Sequence, residues 1–285
     1  MARTTRRRAL GTLAAALAVG VGTPQLAHAA GRKPGPRPLL RAHAHNDYDH
    51  PRPLFDALDH RFNSVEADIY LVDGDLLVAH DPVDLDPNRT LESLYLAPLA
   101  ARVRENHGSV HQGRHTPLQL LIDIKTEGAA TYLELDRQLR RYRGLFTAYA
   151  HGRVHTGPVT AVVSGDRAAR APMEAQRTRS AFYDGRLTDL GTAAPASFVP
   201  LISDNWTTFF SWQGVGPIPA AEREKLHAIV SAAHDRGQRV RFWATPDVAG
   251  PERDAVWTEL IAADVDHLNT DDLAGLEAFL VAHDR

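Results

Sequence analysis

The chain has 285 residues, 44% hydrophobic and 24% charged, a globular balance with ample length for one large α/β domain. It has no cysteine, which excludes disulfides, thiolate metal sites and a cysteine nucleophile. The formal charge of −3 falls to about −7 once the first 29 residues, with four arginines and no acid, are set aside, and this argues against nucleic acid as a partner.

Those 29 residues read as an export signal. "TRRRAL" (residues 5–10) precedes an Ala/Leu/Val/Gly run, Ala27-His28-Ala29 puts small residues in A-x-A positions, and Arg6-Arg7 suggests the twin-arginine route. The apolar run is short and broken by glycine, so it reads less well as a retained anchor. A secreted protein is expected, with a linker at residues 30–38 and a single domain from 39 to 285. Strand-like runs then fall at residues 39–45, 64–71, 118–124, 160–163, 181–184, 199–203, 240–244 and 267–269. Between the second and third, an extra strand at 76–79 follows the Asp73-Gly74-Asp75 turn as a hairpin, and residues 106–117 read as an irregular, exposed loop.

Helical patterns lie between the strands. Thr131 with Glu134 reads as a capping box, followed by Leu135, Leu139 and Tyr142 at helical spacing. Leu226, Ile229, Val230 and Ala233 form one stripe over residues 222–236, stopped by Gly237, and two more helices are expected at 254–263 and 273–283. Alternating strands and helices imply a parallel sheet, and about eight units imply closure into a (β/α)8 TIM barrel. An open doubly wound sheet would show a glycine-rich first turn, and "HAHNDYDHP" is not one.

Side chains two apart on a strand share a face. The first strand thereby pairs His43 with His45, the second Glu66 with Asp68, and the third Asp123 with Lys125. In a barrel these pairs converge at the C-terminal mouth, with His80 arriving on the hairpin. Three carboxylates without thiolates make a hard oxygen site suited to Mg²⁺ or Ca²⁺; the alternative is a salt-bridge network that merely fills the barrel end. His43, one layer deeper, reads as a buried hydrogen-bonded group, and Asp81 as a carboxylate able to hold a histidine tautomer. Asn46 and Asp47 open the loop after the first strand, where Asn46 could line a phosphate site, and Trp243 could wall the pocket. Asp271 and Asp272 read as caps of the last helix. The aromatics of "NWTTFFSWQG" (residues 205–214) either pack over the barrel or touch a lipid, and His107, His111, His115, His151 and His155 read as solvated.

"HND" (45–47), "VEADIYLVDGDLLVAHD" (65–81) and "LLIDIKTEG" (120–128) resemble the glycerophosphodiester phosphodiesterase and phosphatidylinositol-specific phospholipase C superfamily. The nearer likeness is to its "HNDY" branch, the altered inheritance of mitochondria protein 6-like group. "VRFWAT" (240–245) and "VDHLNTDD" (265–272) resemble the family's seventh and eighth strands, and the likeness is loose between 130 and 238. The resemblance implies that His45 and His80 are the acid–base pair, that Glu66, Asp68 and Asp123 bind the metal, and that Lys125 contacts phosphate. Two departures stand out: family diesterases commonly carry arginine where this chain has Asn46, and often glutamate where it has Asp123.

The expectation is a secreted, metal-dependent phosphoric diester hydrolase acting on a glycerophosphodiester or phospholipid-type substrate. It would be a monomer making at most transient contact with a membrane surface. A metal-dependent amidohydrolase also begins with H-x-H, but it needs histidines where this chain has Asp184 and Asp204-Asn205. A two-carboxylate glycoside hydrolase leaves His45, His80 and Lys125 without work. A non-catalytic barrel that binds a phosphorylated head group needs no pair of histidines.

Overall fold

The computed structural model describes residues 34–283; the expected export signal and residues 30–33 of the expected linker lie outside the described residues. Residues 34–38 have no regular structure, and Gly35 donates to the Gln112 carbonyl at 2.8 Å. The chain continues through β1 (Leu39–Ala44), α1 (Phe55–Asp59), β2 (Phe62–Val72), β3 (Asp75–Val78) and α2 (Ala97–Glu105). Next come β4 (Leu118–Ile124), α3 (Gly128–Leu139), β5 (Ala148–Ala150), β6 (Arg153–His155), β7 (Val159–Gly165), α4 (Arg170–Glu174) and β8 (Ala181–Gly185). The last part holds β9 (Leu201–Asn205), α5 (Trp206–Phe209), α6 (Ala220–His234), β10 (Arg239–Trp243), α7 (Pro251–Ala262), β11 (His267–Thr270) and α8 (Leu273–His283).

Eight of these strands are parallel and close in the order β1-β2-β4-β7-β8-β9-β10-β11, with β11 returning to pair β1. This is the expected (β/α)8 barrel, with β3 antiparallel on the outer half of β2 as the hairpin insertion. The strands are nearly continuous apolar runs because helices cover the outside while side chains fill the inside, so both faces are buried. Among the described residues, no helix is long and apolar enough to cross a membrane.

The boundaries differ from expectation where local chemistry overrides the pattern. The sixth barrel strand starts at Leu201 rather than 199, because Pro200 has no N–H for the ladder and the Val199 N–H is already spent on the Pro195 carbonyl. The helix after β4 starts before Thr131. Glu127 caps it, its carboxylate accepting from the Ala129 and Ala130 amides at 2.9 and 2.7 Å, while Thr131 sits inside and Glu134 pairs with Arg137. The β5–β6 hairpin was not anticipated. His151 and Gly152 turn it with φ of 52° and 79°, the left-handed pair that a tight hairpin requires, and His151 is solvated as expected.

The 106–117 segment is less exposed than its composition suggests. The Val110 carbonyl accepts from Arg102 Nε and Asn106 Nδ2, both at 2.8 Å, and this pins Val110 and His111 into the core. His111 is therefore buried rather than solvated, and burial, helped by Arg102, pushes its pKa down to about 4.

Candidate active site

Register assembles the acids. β2 turns Glu66 and Asp68 inward, and the β2–β4 pairing sets Asp68 beside Asp123, which in turn neighbours Ser164 on β7. One oxygen from each of Glu66, Asp68 and Asp123 lies within 4.8 Å of the other two. Gly165 follows with φ of 79°, and a Cβ there would stand 2.2 Å from the Ile124 carbonyl oxygen and 2.5 Å from Asp123 Oδ1. Only glycine permits this approach, and so it keeps the space beside Asp123 open.

Buried charge of this kind needs compensation. Glu66 Oε2 meets Arg241 Nη2 at 2.6 Å and His43 Nε2 at 3.0 Å. Burial, the largest influence, would raise the Glu66 pKa, but the Arg241 guanidinium, the His43 hydrogen bond and the neighbouring imidazoles together outweigh it and hold the carboxylate well below its usual range. His43 is a buried positioning group, as expected: Ser64 Oγ lies 2.7 Å from its Nδ1, and burial together with Arg241 pushes its pKa down to about 3. With both ring nitrogens engaged, it does not form the H-x-H metal pair of an amidohydrolase.

Asp68 and Asp123 are less well served. Lys125 Nζ reaches Asp68 Oδ2 at 2.9 Å and Asp123 Oδ1 at 3.4 Å, and is the cation they share. Burial, and then the Glu66 charge, still raise both acids, Asp123 to about 6. Asp68 Oδ1 is buried without a hydrogen-bond partner. Converging oxygens, uncompensated negative charge and an unpartnered carboxylate oxygen fit a hard divalent cation, so these three residues could hold a metal ion.

The two histidines flank this set through their Nδ1 atoms. His45 Nδ1 lies 2.8 Å from Asp271 Oδ1. Burial alone would lower His45, but the Asp271 hydrogen bond and the Glu66 charge raise it overall. His80 Nδ1 lies 3.2 Å from the Tyr48 hydroxyl and 3.3 Å from Asp68 Oδ2. Among the described residues neither Nε2 has a hydrogen-bond partner, so each ring offers one nitrogen for proton transfer. Asp81 is exposed and does not hold a tautomer here; the carboxylate beside His80 is Asp68.

Asn46, in the left-handed region with φ of 46°, accepts from the Tyr48 hydroxyl at 2.8 Å and reaches Asp271 at 3.5 Å. Its amide therefore joins the two histidine anchors. Trp243 ends β10 half-buried at the mouth. Trp206, Phe210 and Trp212 are buried, and the first two stack at 4.0 Å and meet Phe242 edge-on, so most of the aromatic loop packs on the barrel. Asp272 does cap the last helix, accepting from Gly275 at 2.9 Å, whereas Asp271 turns to His45 instead.

Sequence reasoning missed Arg241, Tyr48 and Asp271 as site residues. Arg241 had a usable signal, since residues 239, 241 and 243 alternate onto one face of β10 and a buried acid demands a cation.

A barrel with acids, histidines and a lysine at the C-terminal ends of its strands has the architecture of a hydrolase whose chemistry sits at the mouth. The chain belongs to the AIM6-like phosphodiesterase domain family, whose model matches residues 37–184, and it thus carries a phosphodiesterase-like domain. The match takes in His45, Glu66, Asp68, His80, Asp123 and Lys125. A further match, to the glycerophosphoryl diester phosphodiesterase family, spans residues 239–274, with Arg241, Trp243 and Asp271. Among similar proteins, an altered inheritance of mitochondria protein 6 homolog of Arthroderma benhamiae is 26% identical, covering 84% of this chain and 83% of the relative. The altered inheritance of mitochondria protein 6 of Lachancea thermotolerans is 29% identical over 82% of this chain and 64% of its own length; that of Eremothecium gossypii is 29% identical over 85% and 69%. This chain thus spans about two-thirds of the yeast relatives.

Proposed function

We propose that the chain is a secreted, metal-dependent phosphoric diester hydrolase acting on a glycerophosphodiester or phospholipid-type substrate. One observation carries the reading: two imidazoles, each anchored through Nδ1 with Nε2 free, stand beside three converging carboxylates. A binding protein needs no such pair, and a glycosidase would leave it idle.

A divalent cation on Glu66, Asp68 and Asp123 would supply charge neutralisation at the non-bridging phosphate oxygens. Lys125 adds a fixed positive charge beside them, and Trp243 walls the mouth. One histidine takes the proton of the attacking hydroxyl and the other delivers a proton to the leaving alkoxide, each transfer contributing about 10² to 10⁴ in rate. Asp271 holds His45, and Tyr48 with Asp68 holds His80, so both rings present Nε2 to the same substrate. A neighbouring hydroxyl of the substrate is the proposed nucleophile, which makes a cyclic phosphate the first product.

The test uses purified protein with glycerophosphodiesters, which carry the free hydroxyl next to the phosphate that the step requires, with and without EDTA. Expected are turnover abolished by EDTA and restored by Mg²⁺ or Ca²⁺, loss in His45→Ala and His80→Ala, and a cyclic phosphate signal by ³¹P NMR. Turnover that survives either histidine substitution undiminished overturns the assignment.

A further inference from the structure

The opposite end of the barrel carries a second feature that the phosphodiesterase reading does not use. Where the strands begin, a cavity of about 940 Å³ opens between Leu39, Asn63, Gln119, Arg239 and His267. Its polar groups are unusual in what they lack. Arg239 donates to Gln119 Oε1 at 2.6 Å and to His267 Nε2 at 3.0 Å, and among the described residues no carboxylate pairs with it. A guanidinium can only donate, so His267 accepts at Nε2 and carries its proton on Nδ1, an atom that is buried without a partner. Asn63 Oδ1 is likewise buried and unpartnered.

The acids at this end are already committed. Asp264 pairs with Arg41 at 2.6 Å, and Asp266 with His234 at 2.8 Å, while Arg61 is taken by Glu277. The surplus charge on the cavity is therefore positive, from half-buried Arg239 and exposed Arg37. Burial without an acid partner also pushes the Arg239 pKa below the usual guanidinium value. Around the opening, Leu40, Val154 and Val281 are 53%, 41% and 57% exposed, three of the eight large apolar side chains exposed among the described residues. A largely apolar cavity with a few convergent polar groups is the usual form of a small-molecule site.

We infer that the N-terminal end of the barrel binds a single-chain amphiphilic anion, its carboxylate or phosphate head on Arg239 and its alkyl chain along Leu40, Val154 and Val281. The head satisfies the unpaired guanidinium, and the chain covers apolar surface that is otherwise wet. The site lies across the full length of the barrel from the histidines and does not depend on the proposed hydrolase chemistry.

Calorimetric titration of the full chain with laurate, dodecyl phosphate and dodecyltrimethylammonium, below their micellar concentrations, tests it. Expected is saturable one-site binding of both anions, with the cation at least about tenfold weaker, the worth of one charge-assisted hydrogen bond. The relative strength of laurate and dodecyl phosphate tells which head the site prefers. Arg239→Met should erase the discrimination between anion and cation. Leu40→Asp, at an exposed position that does not endanger folding, should weaken both anions by about tenfold or more through repulsion and loss of apolar cover. Excess glycerophosphocholine should not compete. Equal binding of all three probes, no saturable binding, an unaffected Leu40→Asp, or competition by glycerophosphocholine each overturns the inference.

Discussion

Replacing Arg241 by methionine keeps the volume of the side chain and deletes the charge that faces Glu66. Arg241 and Glu66 are 3% and 4% exposed, and the guanidinium also donates to Asn269 Oδ1 at 2.9 Å through Nε. The substitution leaves a carboxylate with only the neutral His43 ring beside it, and an amide oxygen without a donor. Removing one member of a buried ion pair costs about 3 to 5 kcal/mol, a large part of a total stability of about 5 to 15 kcal/mol. The cost arises mostly from the stranded carboxylate, so Glu66→Gln in the same chain should return about half of it. Urea unfolding followed by tryptophan fluorescence gives all four values: wild type, Arg241→Met, Glu66→Gln and the double variant. A loss below about 1 kcal/mol for Arg241→Met, or a double variant as unstable as the sum of its singles, would show that Arg241 is not what holds the Glu66 charge.

Four further outcomes follow from the geometry. Saturating Mg²⁺ or Ca²⁺ should stabilise the wild type by about 2 to 3 kcal/mol at a hundredfold excess over Kd. Asp123→Asn should abolish that gain while leaving the metal-free protein at least as stable as wild type, since Asp123 is a strained charge; differential scanning fluorimetry with and without EDTA reads both. Asp271→Asn should lower kcat about 10- to 100-fold with little change in KM, because Asp271 acts through His45, which it orients and whose pKa it raises. Buried His111, with its pKa depressed to about 4, contributes stability that is fully present above about pH 6.5 and is lost as pH falls toward 4; His111→Gln should flatten that acid limb of the unfolding curve. Gly165→Ala should cost more than about 2 kcal/mol and disturb metal affinity, because its methyl group would collide with the β4 backbone and Asp123.

The barrel was legible because its evidence is local: apolar runs of strand length alternate with stripes of helical spacing. The site pairs were legible for the same reason, as Glu66 with Asp68 and Asp123 with Lys125 each lie two residues apart on one strand. Their partners were not. Arg241 comes to Glu66 from 175 residues away, and Asp271 to His45 from 226 residues away, so only barrel closure brings them together. His111 shows a related failure: a polar loop looks solvated until the carbonyl of Val110 finds donors on the preceding helix.

The Tyr48 hydroxyl has one proton and lies 2.8 Å from Asn46 Oδ1, 2.7 Å from Asp68 Oδ2 and 3.2 Å from His80 Nδ1. It can serve only one of these neighbours as donor at any instant. Whatever occupies the lone pairs of Asp68 releases that proton toward the other two, and so the hairpin imidazole senses the state of the carboxylates through a single rotating O–H bond.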